Sequence, residues 1–243
     1  MAIADRKKRA FEAREKLVIE QADELLMDRG YLGLNLDELA DRVEYSKATL
    51  YHHFVSKEDL VLAVIAHHFK IRIDYFQRAA SFNGNTRERM FAFGVADRLL
   101  SRKYPHGFPL VQLVRLPSIW SKCSEPRQKK YFESAGCCFE LGMKVATEAK
   151  KNEDFTENAL SPEQMVWGLV SLSKGAHLIA EEGIFREAGN IEGEPLQFLF
   201  ENYHRFLDGA GWLPFTADWD YQETQKRIET ELFHKEVASL GDL

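Results

Sequence analysis

The segment Ser46-Lys47-Ala48-Thr49-Leu50-Tyr51-His52-His53-Phe54 holds the most informative chemistry of the chain. Leu50 and Phe54 are four residues apart and share one helical face. A helix this short is unstable alone, so those two side chains must anchor it against neighbouring helices. The opposite side then carries Lys47, Ala48, Thr49, Tyr51 and His52. Small residues permit close approach, and polar tips reach base edges or phosphates, as a reader of the DNA major groove requires.

Other residue types invite chemistry and offer less. His52-His53 and His67-His68 are tempting as metal ligands. Adjacent residues on a helix diverge by about 100 degrees, and no Cys or carboxylate constellation has ligand spacing, so no metal site and no cofactor are expected. Cys123, Cys137 and Cys138 are odd in number and do not suggest a disulfide scaffold. Neighbouring cysteines rarely pair, and no strongly basic group lies near Cys137-Cys138 apart from Lys144, so inert buried thiols are expected. The sequence shows no nucleophile–base set, no Glu-x-x-His pair and no phosphate loop, so an enzyme is not expected.

The elements that must position these residues are helices. Alternating strand patterns are absent, and the fold class is all-α. Val18, Ala22, Leu25 and Arg29 line a first helix that Gly30 ends. Leu36, Leu39, Ala40 and Val43 line a second, with Asn35 as N-cap and Glu38 three residues on. A fourth begins near Ser56 or Lys57 and runs through Leu60, Val64, Ile71 and Tyr75. Further helices are predicted from about Arg87 to Lys103, from Ser124 to Lys151, from Ser161 to near Gly183, and from Pro195 to Asp208. Residues 218–240 are polar with a helical pattern.

The 243 residues carry 32 Lys and Arg against 38 Asp and Glu, a formal charge of −6. A uniformly basic coat is excluded, so any nucleic-acid contact is a local patch. The first 70 residues are themselves slightly acidic, with 11 basic against 13 acidic side chains. Binding must then rest on the orientation of charge, with a marked salt dependence. The longest apolar run, Leu60 to Ala66, is far below the roughly 20 residues of a membrane span. Asp5-Arg6-Lys7-Lys8-Arg9 has no apolar stretch behind it and is not a secretory signal. With Arg14 and Lys16 it is either an arm for the minor groove or a solvated helix start. A cytoplasmic location is expected.

Residues 16 to 64 resemble the DNA-binding domain of the TetR/AcrR family of transcriptional regulators. The matching stretches are Val18-Ile19-Glu20-Gln21-Ala22, Arg29-Gly30-Tyr31, Leu36-Asp37-Glu38-Leu39-Ala40, Ser46 to Phe54 and Ser56-Lys57-Glu58-Asp59-Leu60. The resemblance implies a three-helix helix-turn-helix domain, residues 1–60, followed by a larger helical ligand-binding and dimerisation domain, residues 61–243. It implies DNA-binding roles for Asn35, Ser46, Lys47, Ala48, Thr49, Tyr51, His52 and Lys57. Tyr51 corresponds to a phosphate-contacting tyrosine, and Lys57 meets the backbone at the start of the fourth helix. Glu44 occupies a turn position usually held by Gly, so it must accept a strained backbone angle. Leu34 replaces a usual Thr, which removes one phosphate contact.

The resemblance further implies a homodimeric repressor on a palindromic DNA operator, released by a small, largely apolar effector. A ligand-independent or partner-controlled DNA binder, or an activator, is the alternative. One short recognition helix reads only a few base pairs, which independently calls for two copies. Met165, Leu169, Leu172 and Ala176, facing Leu196, Leu199, Tyr203, Phe206 and Ala210, are the predicted seam. Phe93, Leu113, Trp120, Phe139, Met143 and Trp167 are the candidate ligand-binding residues, with Gln112, Cys138 and His177 as polar additions.

Overall fold

The computed structural model describes residues 2–182, 195–196 and 198–241. Among them every regular element is helical, and one isolated bridge joins Phe155 to Trp212. No helix there is long and apolar enough to cross a membrane. Residue 183, where the helix after Pro162 is predicted to end, lies outside the described residues. The chain divides into two units: residues 1–71 with 104–135, and residues 72–103 with 136–243.

The first unit holds α1 (Ala2–Gly33), α2 (Leu36–Arg42), α3 (Lys47–His53), the start of α4 (Lys57–Ala80), α6 (Gly107–Val114), α7 (Pro117–Trp120) and the start of α8 (Glu125–Lys151). Gly30 breaks α1 as expected, with φ 65 and ψ −175. Its lack of a Cβ makes that angle accessible. Val18, Ala22, Leu25, Leu39, Leu50, Phe54, Leu60, Val64, Leu110 and Val114 form the core. Each large side chain buried there contributes about 1.5–3 kcal/mol relative to exposure. Leu50 and Phe54 are 3% and 4% exposed, so the apolar pair does anchor α3.

The second unit holds the rest of α4, α5 (Thr86–Lys103), the rest of α8, α9 (Pro162–Glu182), α10 (Leu199–Gly209), α11 (Tyr221–Arg227), a π-helical turn (Ile228–Leu232) and α12 (His234–Leu240). Reciprocal caps start two of these helices. The Asn85 side chain accepts from Glu88 N while the Glu88 carboxylate accepts from Asn85 N. Ser161 and Gln164 exchange the same pair of bonds at α9. The last helix before the tail starts at Leu199 instead of the predicted Pro195.

α5 is buried nearly all round and takes charged residues into the interior. Arg87 is fully buried. Its guanidinium donates to the carbonyls of Trp212 and His204, pairs with Asp208 at 2.7 Å and lies over the Tyr221 ring. The polar tail covers this unit: Tyr221, Thr224, Ile228 and Phe233 are buried, and Glu236 pairs with Arg78 at 2.6 Å.

Part of the predicted seam stripe faces inward, while Leu172, Ala176, Leu196 and Phe206 are half-buried. Met165, Leu169, Leu199, Tyr203 and Ala210 are buried in their own unit because α9 and α10 pack against each other. Gly168 makes that approach possible: a Cβ there would lie 2.1 Å from the Phe206 ring. Exposed apolar side chains among the described residues of this region include Trp167, Leu178, Ile179 and Phe198.

Candidate nucleic-acid interface

Three side-chain caps present the outer face of the first unit. Asn35 accepts from Asp37 N at 2.8 Å at the start of α2, with Glu38 turned instead to Arg29 and Arg42. Ser46 Oγ accepts from Thr49 N at 3.1 Å at the start of α3 and shares a second bond with the Thr49 hydroxyl. Ser56 Oγ accepts from Asp59 N at 2.9 Å at the start of α4. These caps satisfy orphan amides in the first turn of each helix.

The turn from α2 to α3 is closed by bonds from Glu44 N to Asp41 O and from Tyr45 N to Ala40 O. Glu44 has φ 56, so the acid adopts the left-handed conformation that the expected turn demands. That conformation costs a residue with a Cβ roughly 1–2 kcal/mol.

On the outer side of α3, Ser46, Lys47, Ala48, Tyr51 and His52 are exposed, Tyr51 by 53%, and Thr49 is half-buried. Asn35 is exposed as well. Lys47 Nζ pairs with Asp37 at 2.6 Å, and that hydrogen bond raises the lysine's pKa. Its ammonium must leave this carboxylate to reach a phosphate or base. Lys57 is half-buried, with Nζ 4.5 Å from the centre of the Tyr31 ring. Burial lowers its pKa. The Tyr31 hydroxyl donates to Glu58, which also accepts from Lys122 at 2.8 Å. The segment 5–10 is an exposed helical start, with Lys8 near Glu12.

One positioning residue escapes sequence reading altogether. Arg127, in the first turns of α8, donates to the His53 carbonyl at 3.1 Å and to Asp59 Oδ2 at 3.1 Å. Its guanidinium also lies 4.7 Å from the centre of the Phe54 ring and reaches Glu15. It therefore bolts the end of α3 to the start of α4 from a position 74 residues on in the chain. Buried Asp59 completes the bolt by accepting from Ser124 N and Oγ. Beneath α3, Phe11 stacks on the His53 ring at 4.0 Å. No local pattern signals Arg127, because its partners come together only on folding.

The candidate ligand residues fall into two groups. Leu113 and Trp120 pack on the core of the first unit. In the second, Phe93 is buried against Phe76 with ring centres 4.9 Å apart, and Phe139 meets Trp167 at 4.8 Å. Met143 is half-buried, while Trp167 is 57% exposed. Gln112 is half-buried in the first unit. His177 is buried at 3.7 Å from Asp97, which also pairs with Arg72 at 2.7 Å and accepts from Ser173. Burial pushes the Cys138 thiol up to about 12 and Cys123 up to about 11, the behaviour of unreactive thiols. All three cysteines are free.

The comparisons with known proteins fit this geometry. Residues 18–64 match the model for bacterial regulatory proteins of the tetR family. The transcriptional activator FasR of Mycolicibacterium smegmatis is 40% identical over 81 residues, which are 33% of this chain and 36% of that protein. The transcriptional repressor NemR of Escherichia coli is 34% identical over 86 residues, 34% of this chain and 41% of that one. The chain thus spans little more than a third of these relatives' own length. A protein from Saccharomonospora viridis, described as a transcriptional regulator in complex with choline, shares the fold over 84% of this chain and 99% of its own, with a TM-score of 0.64 and 17% identity. The matched segment, with the capped, outward-facing α3 at its centre, is thus similar to that of bacterial regulatory proteins of the tetR family.

Proposed function

We propose that this protein is a DNA-binding transcriptional regulator that acts in the cytoplasm as a homodimer on a palindromic operator. The observation that carries the reading is the two-sidedness of α3: Leu50 and Phe54 are buried while Lys47, Ala48, Tyr51 and His52 face outward. In this reading residues 1–60 bind DNA and residues 61–243 sense ligand and pair two copies. Lys47 and His52 reach base edges. Tyr51, Lys57, Asn35 and the capped start of α3 hold phosphates and set register. Trp167, Leu178, Ile179 and Phe198 supply an apolar surface for the second copy.

Release follows from a small, largely apolar ligand held by Phe93, Phe139, Met143 and neighbouring side chains. Such a ligand shifts DNA affinity only by its differential affinity for the two arrangements of the dimer. The choline complex of a protein with this fold supports a small-molecule site. Repression is the leading sense, and the activator named among the relatives supports the opposite one.

Gel shift and footprinting on DNA upstream of the protein's own gene test the reading. The double substitution Tyr51→Ala, Lys57→Ala weakens binding at least tenfold on every sequence and lowers the salt slope by about 1, for the lost Lys57 charge. Lys47→Ala or His52→Ala changes sequence preference. Equal binding by the double variant and the parent overturns the assignment, and a reporter fused to the footprinted promoter gives the sign of regulation.

A further inference from the structure

The first unit contains a cluster that has no part in the surface described above. Asp23 on α1, His68 on α4 and His106, immediately before α6, meet at one point. His68 Nε2 lies 2.9 Å from both carboxylate oxygens of Asp23, and His106 Nε2 lies 2.6 Å from Oδ1. The candidate donor atoms all fall within 4.8 Å of one another. The two imidazoles stand edge to face with centres 5.3 Å apart, and the Tyr104 ring flanks His68 at 4.7 Å. Each side chain is between 11% and 15% exposed, so the cluster is sheltered but reachable by an ion.

We propose that Asp23, His68 and His106 form a binding site for a divalent cation of the zinc class. Two imidazole nitrogens and one carboxylate are a donor set that zinc, copper, nickel and iron(II) accept, with positions left for water. The donors come from two helices and a turn, with His68 and His106 lying 45 and 83 residues beyond Asp23, and all converge through the atoms that ligate. His106 Nδ1 is buried without a hydrogen-bond partner, so nothing at the far edge of the ring competes for its orientation, which is set at Nε2 alone. Gly107, next to His106, has its Cβ direction 3.4 Å from His68 Nδ1, so the backbone at the start of α6 approaches that ring closely.

A cation held here would cross-link α1, α4 and the entry to α6. Binding the folded state alone raises the melting temperature in proportion to the logarithm of free ion. The inference does not depend on the DNA-binding reading, because its readouts need no operator. It departs from the sequence expectation of no metal, which rested on the neighbouring pairs His52-His53 and His67-His68 and on the lack of a local constellation with ligand spacing.

The test uses the full chain, stripped with a chelator and titrated with cobalt(II) and then zinc. One equivalent of cobalt per chain should give a d–d absorption band that zinc removes, and zinc should raise the melting temperature. His106→Gln and Asp23→Asn should each weaken cobalt binding at least tenfold, whereas His67→Gln, one position away on α4, should leave it unchanged. In the unaltered protein, histidine-ring nitrogen spectra should show two of the eight rings shifting with zinc, a readout independent of whether any variant folds. No cobalt band in the parent, equal binding by His106→Gln, or no ring shift on adding zinc would overturn the proposal and leave the cluster a carboxylate clamp.

Discussion

α3 and α5 treat polar side chains in opposite ways. α3 has seven residues, buries Leu50 and His53, and leaves Lys47, Tyr51 and His52 outside. α5 has eighteen residues and buries almost all of them, including Arg87, Glu88 and Asp97. Each charge inside α5 is matched by fixed partners of its own unit, so it is committed to structure. On α3, Tyr51 and His52 face outward and Lys47 is held only by an exposed carboxylate, which leaves them available to another molecule. Polar groups that the fold leaves outside can meet another molecule, whereas those paired inside are committed to structure.

Breaking the buried side of that contrast should have the largest effect. Arg87→Ala removes the partner of Asp208 and leaves two backbone carbonyls without their donor. A loss of about 3–5 kcal/mol is expected, seen as a large fall in the denaturant midpoint. Retention of the parent midpoint would show that the pairing inside α5 carries no net stability.

Arg127→Ala tests whether the free face depends on a buried bolt. It strands buried Asp59 and frees the end of α3. The expected cost is about 2–4 kcal/mol of stability, with DNA affinity lost beyond the change in folded fraction. Arg127→Lys keeps the charge but not the fork, and should restore stability more than affinity. Parallel loss of both in the two variants would reduce Arg127 to packing alone.

Acid should act on the second unit through a buried histidine. Burial is the main cause that lowers the His204 pKa to about 4, with the Arg87 charge adding to it and Asp208 opposing it; the Tyr221 ring lies tilted against the imidazole at 4.5 Å. A histidine in the unfolded chain titrates near 6.5. Between those values the unfolded state binds more protons, so stability falls as pH drops from about 6.5 towards 4. Melting curves at pH 7 and pH 5 should show a lower midpoint at pH 5, and the difference should shrink in His204→Gln. An equal difference in the variant would move the effect to other groups.

The smallest expected effect is at the turn before α3. Glu44→Gly relieves the positive φ and should stabilise by about 1 kcal/mol or less, offset by the greater freedom of Gly in the unfolded chain. It also removes an acid beside the proposed DNA face, so operator affinity should rise slightly, most clearly at low salt. A lower melting temperature would mean that the side chain of Glu44 makes a contribution larger than its strain.

Local patterns exposed the helices and the two faces of α3, because periodicity and caps are properties of neighbouring residues. Leu50 with Phe54, Gly30 as a break and Ser161 as a cap all follow from spacing alone. The seam stripe was only partly legible for a physical reason: an apolar face at helical spacing reports burial without saying whether the cover is another helix of the same chain or a second copy. Met165 and Leu169 are covered from within. Residues 218–240 read as polar because Tyr221, Thr224, Ile228 and Phe233, which dock on the second unit, are spaced among charged side chains that face outward.

The amino-acid sequence by itself determined that the chain is helical, where its helices start and break, and which side of α3 is apolar, since each depends on contacts a few residues long. Only the tertiary structure decided that Arg127 secures α3, that the tail closes over the second unit, and that Asp23, His68 and His106 converge. Those arrangements join residues tens to more than a hundred positions apart, and their distances are set by how whole helices pack, which no local periodicity encodes.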